Sequence, residues 1–188
     1  MSQFAQSVRD SASKYNMGSS FLQLQDGENR VRLVSKFRDY GKHYDPSVKK
    51  YYVCTGYANG CEMCVKAIEA QQSGDSKLFN ALKSRPAYLG WVIDRASGEI
   101  KKAEFSWTIM KGITTLAESA DWGFEVLPHY DVNIVRRAAQ KAGQKVEYQV
   151  MPSKVVALTP EEEGKIKILD SPDEIVKRMI EKNMTTIT

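Results

Sequence analysis

The chain has 188 residues, enough for one domain with a sizeable core, or one domain and a helical appendage. Its 27 Lys and Arg against 23 Asp and Glu leave a net charge of +4, and 10% of its residues are aromatic. No apolar run approaches the roughly 18–20 residues of a membrane span, and the polar start MSQFAQSVRD lacks the apolar core of a secretory signal, so the expected location is cytoplasmic. The three cysteines cannot all pair within one chain, which fits a reducing compartment with thiolates on a metal.

In chain order, residues 1–18 are Ser-rich and without periodicity, and read as a flexible N-terminal arm. Phe21 to Gln25, the turn Asp26-Gly27 and Arg30 to Val34 read as strand, turn, strand, with Val31 and Leu33 on one face of the second. Lys49 to Cys54 is a Tyr-dense strand candidate, and Cys61 to Gln72 and Ser76 to Ser84 have helical character around Gly74. Pro86 to Asp94, the turn Ala96-Ser97-Gly98 and Glu99 to Phe105 form the clearest hairpin. Ser106 is placed to cap a helix through Glu118, with Ile109, Met110, Ile113, Leu116 and Ala117 at helical spacing. Tyr130 to Arg136 and Val146 to Met151 predict a second hairpin. Thr159 and Pro160 suit a cap and first residue for a helix at Glu161 to Leu169, and Asp173 to Asn183 predicts another.

Five or six short strands with one helix between hairpins predict an α+β fold with a mostly β core. A five-stranded barrel of the oligonucleotide-binding (OB) type fits this element count. The expected division is an arm at 1–18, a core at 19–158 carrying an inserted zinc-binding subdomain at about 40–85, and a C-terminal helical extension at 159–188.

All three cysteines and one of the two histidines fall within 22 residues, as His43-x10-Cys54-x6-Cys61-x2-Cys64. One imidazole and three thiolates close a tetrahedral Zn²⁺ site and leave no open position for chemistry, so one structural zinc is expected. Gly56 and Gly60 let the loop between Cys54 and Cys61 fold back. A redox CxxC needs neither the third Cys nor the His, and His129 is the alternative imidazole.

The net charge is unevenly spread: residues 1–158 carry +6 and the remainder −2, with a basic excess between Arg30 and Cys54. Basic and aromatic residues interleave at Lys36-Phe37-Arg38-Asp39-Tyr40, Lys42-His43-Tyr44, Lys49-Lys50-Tyr51-Tyr52, Lys77-Leu78-Phe79 and Lys83-Ser84-Arg85-Pro86-Ala87-Tyr88. Single-stranded nucleic acid is held by such a combination, cations tracking phosphates and aromatic faces stacking bases. The same aromatics could equally fill a core; Trp91, Phe105 and Trp107, with apolar neighbours, are expected to do so, whereas Tyr57 lies inside the proposed zinc loop. No phosphate-binding GxxxxGK loop, HExxH or deaminase motif occurs, so the chain is not expected to be an enzyme.

From His43 through Cys64 the pattern resembles the single-stranded DNA-binding proteins of T-even-type bacteriophages. The likeness continues through Lys83-Ser84-Arg85, Tyr88, Trp91-Val-Ile-Asp94, Gly98-Glu-Ile-Lys-Lys102, Phe105, Asp131-Val-Asn-Ile134 and Tyr148-Gln-Val150, and covers about Phe21 to Met151. The resemblance implies an OB fold whose zinc subdomain is held by one His and three Cys. It implies DNA-facing roles for Tyr57, Phe79, Lys83, Arg85, Tyr88, Lys102 and Arg32. With Lys36, Lys49, Lys50, Tyr51 and Lys111 these make up the candidate nucleic-acid contacts. Departures are Ala103-Glu104 where the family has an aromatic before Phe105, Val155, Val156 and Leu158 in place of later aromatics, only Arg9 and Lys14 in the basic N-terminal motif, and no long acidic tail after Thr188.

The expected function is therefore binding of single-stranded DNA with little sequence preference, in phage-type DNA replication, recombination or repair within a host cytoplasm. Polymerase or helicase partners and a monomer, or weak cooperative self-association on DNA, go with it. The rival expectation is a zinc-stapled protein-interaction module that binds an acidic partner protein.

Overall fold

The computed structural model describes residues 21–139 and 145–185. The N-terminal arm read at 1–18 lies outside them. Seven strands form one mostly antiparallel sheet: β1 Gly27–Leu33, β2 Arg38–Asp45, β3 Lys50–Val53, β4 Arg85–Asp94, β5 Glu99–Ser106, β6 Tyr130–Arg137 and β7 Glu147–Val155. Among the described residues five α-helices accompany them: α1 Glu62–Gln72, α2 Ser76–Leu82, α3 Trp107–Ala117, α4 Pro160–Ile166 and α5 Pro172–Thr185. The class is α+β.

The strands run β3-β2-β4-β1-β6-β7, with β5 beside β4. β4 is the hub. Its N-terminal half pairs with β2 (Tyr40 opposite Ala87), its C-terminal end with β1 (Arg32 opposite Ile93), and its whole length with β5. The β4–β5 hairpin turns at Gly98 as its sequence predicts.

Alternation along β4 gives each face a separate task. Val92 joins Val31, Leu33, Phe105, Ile109, Tyr130, Val132 and Ile134 in the main core, which β1, β5 and β6 build with α3. Ala87, Leu89, Trp91 and Ile93 point the other way and are covered by the C-terminal helices, chiefly through Val176 and Ile175 of α5 and Ile166 and Leu169 at α4. A sheet covered on both faces leaves little room for polar groups, so the Trp91 indole N–H donates to the Asp170 carbonyl at 2.8 Å.

The sheet is not closed, which corrects the expected five-stranded barrel. Among the described residues β7 pairs with β6 and β5 with β4, but β5 and β7 do not pair with each other. Helix α3 packs against both of these strands. The segment before β1 lies along β5, where Leu22 N–H donates to Lys102 O at 2.7 Å and Leu22 and Leu24 pack on the main core. Side chains thus fill the place where a strand-to-strand seam would have run.

Other differences are local. The predicted strand Phe21 to Gln25 reduces to one parallel bridge from Phe21 to Lys102. Strand β2 was not predicted; its sequence, RDYGKHYD, is mostly polar, with only Tyr40 and His43 buried. β7 continues through Pro152, which sits at an irregularity of the ladder opposite Val132. Ser106 precedes α3 but makes no side-chain cap, whereas Thr159 and Glu162 form a full capping box with Pro160 in the first turn of α4.

A buried ion-pair cluster fastens the C-terminal segment to the sheet. Asp131 on β6 is fully buried and accepts from Arg32 Nε at 2.9 Å and from Arg95 Nε at 3.1 Å, with Arg30 Nε at 3.4 Å. Arg32 also donates to the Val156 carbonyl, and Arg95 Nη1 donates to Glu162 of α4 at 2.6 Å. Three guanidiniums share one carboxylate, and two of them reach onward to the chain that follows β7.

Candidate functional site

His43 on β2, Cys54 just past β3, and Cys61 and Cys64 at the start of α1 converge on one point, with their ligand atoms all within 4.8 Å of one another. His43 Nε2 lies 3.5 Å from Cys61 Sγ and 3.4 Å from Cys64 Sγ, and Cys54 Sγ lies 3.5 Å from Cys64 Sγ. Metal–sulfur bonds of about 2.3 Å and metal–nitrogen bonds of about 2.0–2.1 Å give tetrahedral edges of roughly 3.5–3.8 Å. The sulfurs are too far apart for a disulfide. The four side chains are therefore close enough to hold one metal ion, as zinc would require.

Local structure explains the convergence. Cys54 N–H donates to Gly41 O at 2.8 Å, holding Cys54 against β2. A Cβ on Gly41 would fall 2.7 Å from Cys54 Cβ, so a side chain at this position would push the ligand away. Gly56 and Gly60, at φ 92° and 74°, bracket the short 3-10 turn Tyr57–Asn59 that returns the chain to Cys61. His43 Nδ1 lies 2.7 Å from the Leu82 carbonyl, which can only accept, so this nitrogen carries the proton and Nε2 presents its lone pair to the sulfurs. The imidazole is fully buried, and Met63, Ala67, Leu82 and Phe79 pack around the cysteines.

The thiols do not titrate alike. Burial by itself would raise Cys61, but backbone hydrogen bonds from Cys64 and Thr55, with the neighbouring thiol and His43, bring it down to about 6. Burial pushes Cys64 up to about 12, and the Cys54 and Cys61 sulfurs add to the effect. Three thiolates cannot share this small volume without a cation to balance them. His129, the alternative imidazole, lies elsewhere, edge-on to Tyr130 at 5.4 Å.

A cleft of about 670 Å³ is lined by residues of β2–β3, α2 and the β5–α3 corner. Its lining includes Lys42, Tyr44, Tyr51, Arg85, Glu104 and Tyr148. Tyr44 and Tyr51, cross-strand neighbours, have ring centroids 4.9 Å apart, and Lys42 Nζ sits 4.4 Å above the Tyr51 ring. Cations and aromatic faces thus share one concave surface.

Of the candidate contacts named from sequence, Tyr51 and Arg85 line this cleft. Lys36, Lys49, Lys50, Lys83 and Lys111 are exposed around the molecule, and Tyr57, 61% exposed, stands out from the metal-binding loop. Phe79 is half-buried against the cysteine cluster, with Lys83 Nζ 5.7 Å from its ring. Tyr88 packs on the main core and faces Trp107 at 6.3 Å. Lys102 lies over Trp91 at 5.5 Å. Arg32 is placed differently from its expectation: at 4% exposure its guanidinium is spent on Asp131 and Val156.

Lys42 and Tyr44 belong to one of the basic–aromatic stretches read in the sequence but were not among its candidate contacts, and Tyr148 was not expected in the cleft. Sequence reasoning also placed Trp107 in the core, whereas the side chain is 57% exposed at the N-terminus of α3. The apolar spacing of α3 begins at Ile109, two residues later, and that offset was the available signal.

No protein-family model matches the chain, and none of the curated proteins is similar to it in sequence. Among the described residues no helix is long and apolar enough to cross a membrane.

Proposed function

We propose that the protein binds single-stranded DNA with little sequence preference, and that one zinc ion held by His43, Cys54, Cys61 and Cys64 shapes the binding cleft without taking part in chemistry. The observation that carries the reading is the cleft itself, lined by Lys42, Arg85, Tyr44, Tyr51 and Tyr148, two of them on the strand that also carries His43. Zinc fits the donor set, because thiolates and imidazole are its usual partners and four of them fill its coordination shell. β2 supplies His43 to the metal and Lys42 and Tyr44 to the cleft, so a bound ion stiffens the wall that carries two of the cleft residues.

The OB-type architecture belongs to the same proposal. Strands β1, β4, β5, β6 and β7 surround the main core, and α3 bridges β5 and β7 in place of a final strand pairing. The resemblance to T-even-type phage proteins adds a setting in DNA replication, recombination or repair.

Titration with oligo-dT, followed by Tyr and Trp fluorescence, tests the reading. Stacking quenches the emission, and the affinity falls steeply with salt because phosphate contacts release counterions. Equal or tighter binding to duplex DNA, or no binding to either, overturns it; silence towards oligo-dT with capture of an acidic protein favours the interaction-module reading.

A further inference from the structure

Two cleft residues are already engaged with each other. Glu104 on β5 accepts from the Tyr40 hydroxyl at Oε2 and from Lys42 Nζ at Oε1. Each carboxylate oxygen thus has its own donor. The Lys42 and Glu104 side chains are 24% and 27% exposed, so the pair is partly shielded from solvent. Both residues line the cleft together with Tyr51, over whose ring Lys42 sits.

The two donors differ in freedom. Tyr40 is buried among Ala87, Leu89 and Val176, and burial, reinforced by Glu104, holds its phenol well above the ordinary tyrosine range. It therefore stays a protonated, fixed donor. Lys42 reaches the carboxylate on a flexible four-carbon stem and can turn to another oxygen. Glu104 keeps one hydrogen bond when Lys42 leaves.

We propose that Glu104 is an internal stand-in for phosphate that occupies Lys42 in the free protein and yields it to the DNA backbone, so that it sets both the affinity and the salt dependence of the cleft. The inference rests on the single-stranded DNA reading above. In the free protein the charge of Lys42 is already balanced, and binding exchanges one anionic partner for another. The site is thereby weaker than its count of cations implies, as suits a protein that must release its strand.

The test is a double-mutant cycle on the full chain, with oligo-dT as probe. E104Q retains an oxygen to accept from Tyr40 but removes the charge. It should bind about two- to fivefold tighter than the unmutated chain at moderate salt, and the slope of log K against log salt should steepen by up to about 0.7, because the carboxylate that Lys42 leaves in the unmutated chain takes up a counter-cation on binding and the amide does not. In a Lys42→Met background the gain from E104Q should shrink to less than half. A gain of equal size with Lys or Met at 42 means a general charge effect and overturns the inference, as does an unchanged or weakened E104Q. Should E104Q lose its cooperative thermal transition, E104T repeats the cycle with the same outcomes. Absence of oligo-dT binding by the unmutated chain overturns the functional reading as well, whereas normal binding with an unresponsive position 104 overturns this inference alone.

Discussion

Replacing Asp131 by Asn should be among the most damaging single changes available to this fold. The carboxylate is fully buried and faces Arg32, Arg95 and Arg30 at 2.9, 3.1 and 3.4 Å. Asn keeps the shape but loses the charge, and its NH2 group faces donors. Arg30 is 41% exposed at its side chain and Arg95 retains Glu162, so the loss falls on Arg32, whose side chain is 5% exposed. Breaking a buried pair by removing one partner costs about 3–5 kcal/mol. With a single charge stranded and the Val156 carbonyl still accepting from it, about 3 kcal/mol is expected. For a urea slope of about 2 kcal/mol/M the midpoint falls by roughly 1.5 M. The thermal midpoint falls by roughly 6–12 °C. Urea unfolding followed by Trp fluorescence measures this directly. Amide exchange should also speed up around Val156 to Ile166, because the arginines that tie this stretch down lose their common anchor. A midpoint shift under about 0.5 M with an unchanged slope would refute the reasoning, since Arg32 would then have to be solvated.

The remaining expectations concern metal, acid and stacking. Protein purified without chelator should carry one equivalent of zinc; chelation should lower the thermal midpoint, added zinc should restore it, and His43→Ala should abolish the restoration. Stability should fall as pH drops through about 4, read as the thermal midpoint from pH 7 to 3. For Asp94 burial acts upwards, but Lys101, the Ala96 N–H and Ser97 outweigh it and lower the carboxyl; Glu162 is likewise lowered, against burial, by Thr159 and Arg95. Groups whose folded values lie below their unfolded ones add stability above the unfolded value and lose it as pH falls through the folded one. D94N should therefore show a shallower decline in that window than the unmutated chain, and an identical decline would count against it. Trp107→Ala should weaken oligo-dT binding by about 1–3 kcal/mol if the exposed ring stacks a base, with little change in thermal midpoint; the reverse pattern would assign Trp107 to packing.

The elements that local rules govern were legible from sequence. The β4–β5 hairpin follows from alternating apolar residues around a Gly98 turn, α3 from apolar positions at helical spacing, and α4 from Thr159, Pro160 and Glu162. The cluster that could hold a metal was legible because cysteine and histidine are scarce in this chain and three of the four residues fall within eleven residues. β2 was not legible, because periodicity reports burial and its side chains go to a His–Cys cluster, a cleft and an ion pair instead of a uniform core. The open sheet was equally hidden: whether β5 meets β7 depends on where α3 docks, a contact between segments far apart in sequence.

Sequence by itself determined that Cys54, Cys61 and Cys64 with one histidine could hold a metal, the α+β class and the basic–aromatic character of residues 36–88, since each depends on residue type and short-range spacing; the fold brings His43, and not His129, to the cysteines. Tertiary structure decided how the charges are used. Arg32 and Lys42 are both basic residues on the first two strands, yet one is locked against Asp131 in the interior and the other rests on Glu104 in a cleft. A cation's role is set by the carboxylate that reaches it and by the water left around it. Both come from β5 and β6, some 60 to 100 residues further along the chain.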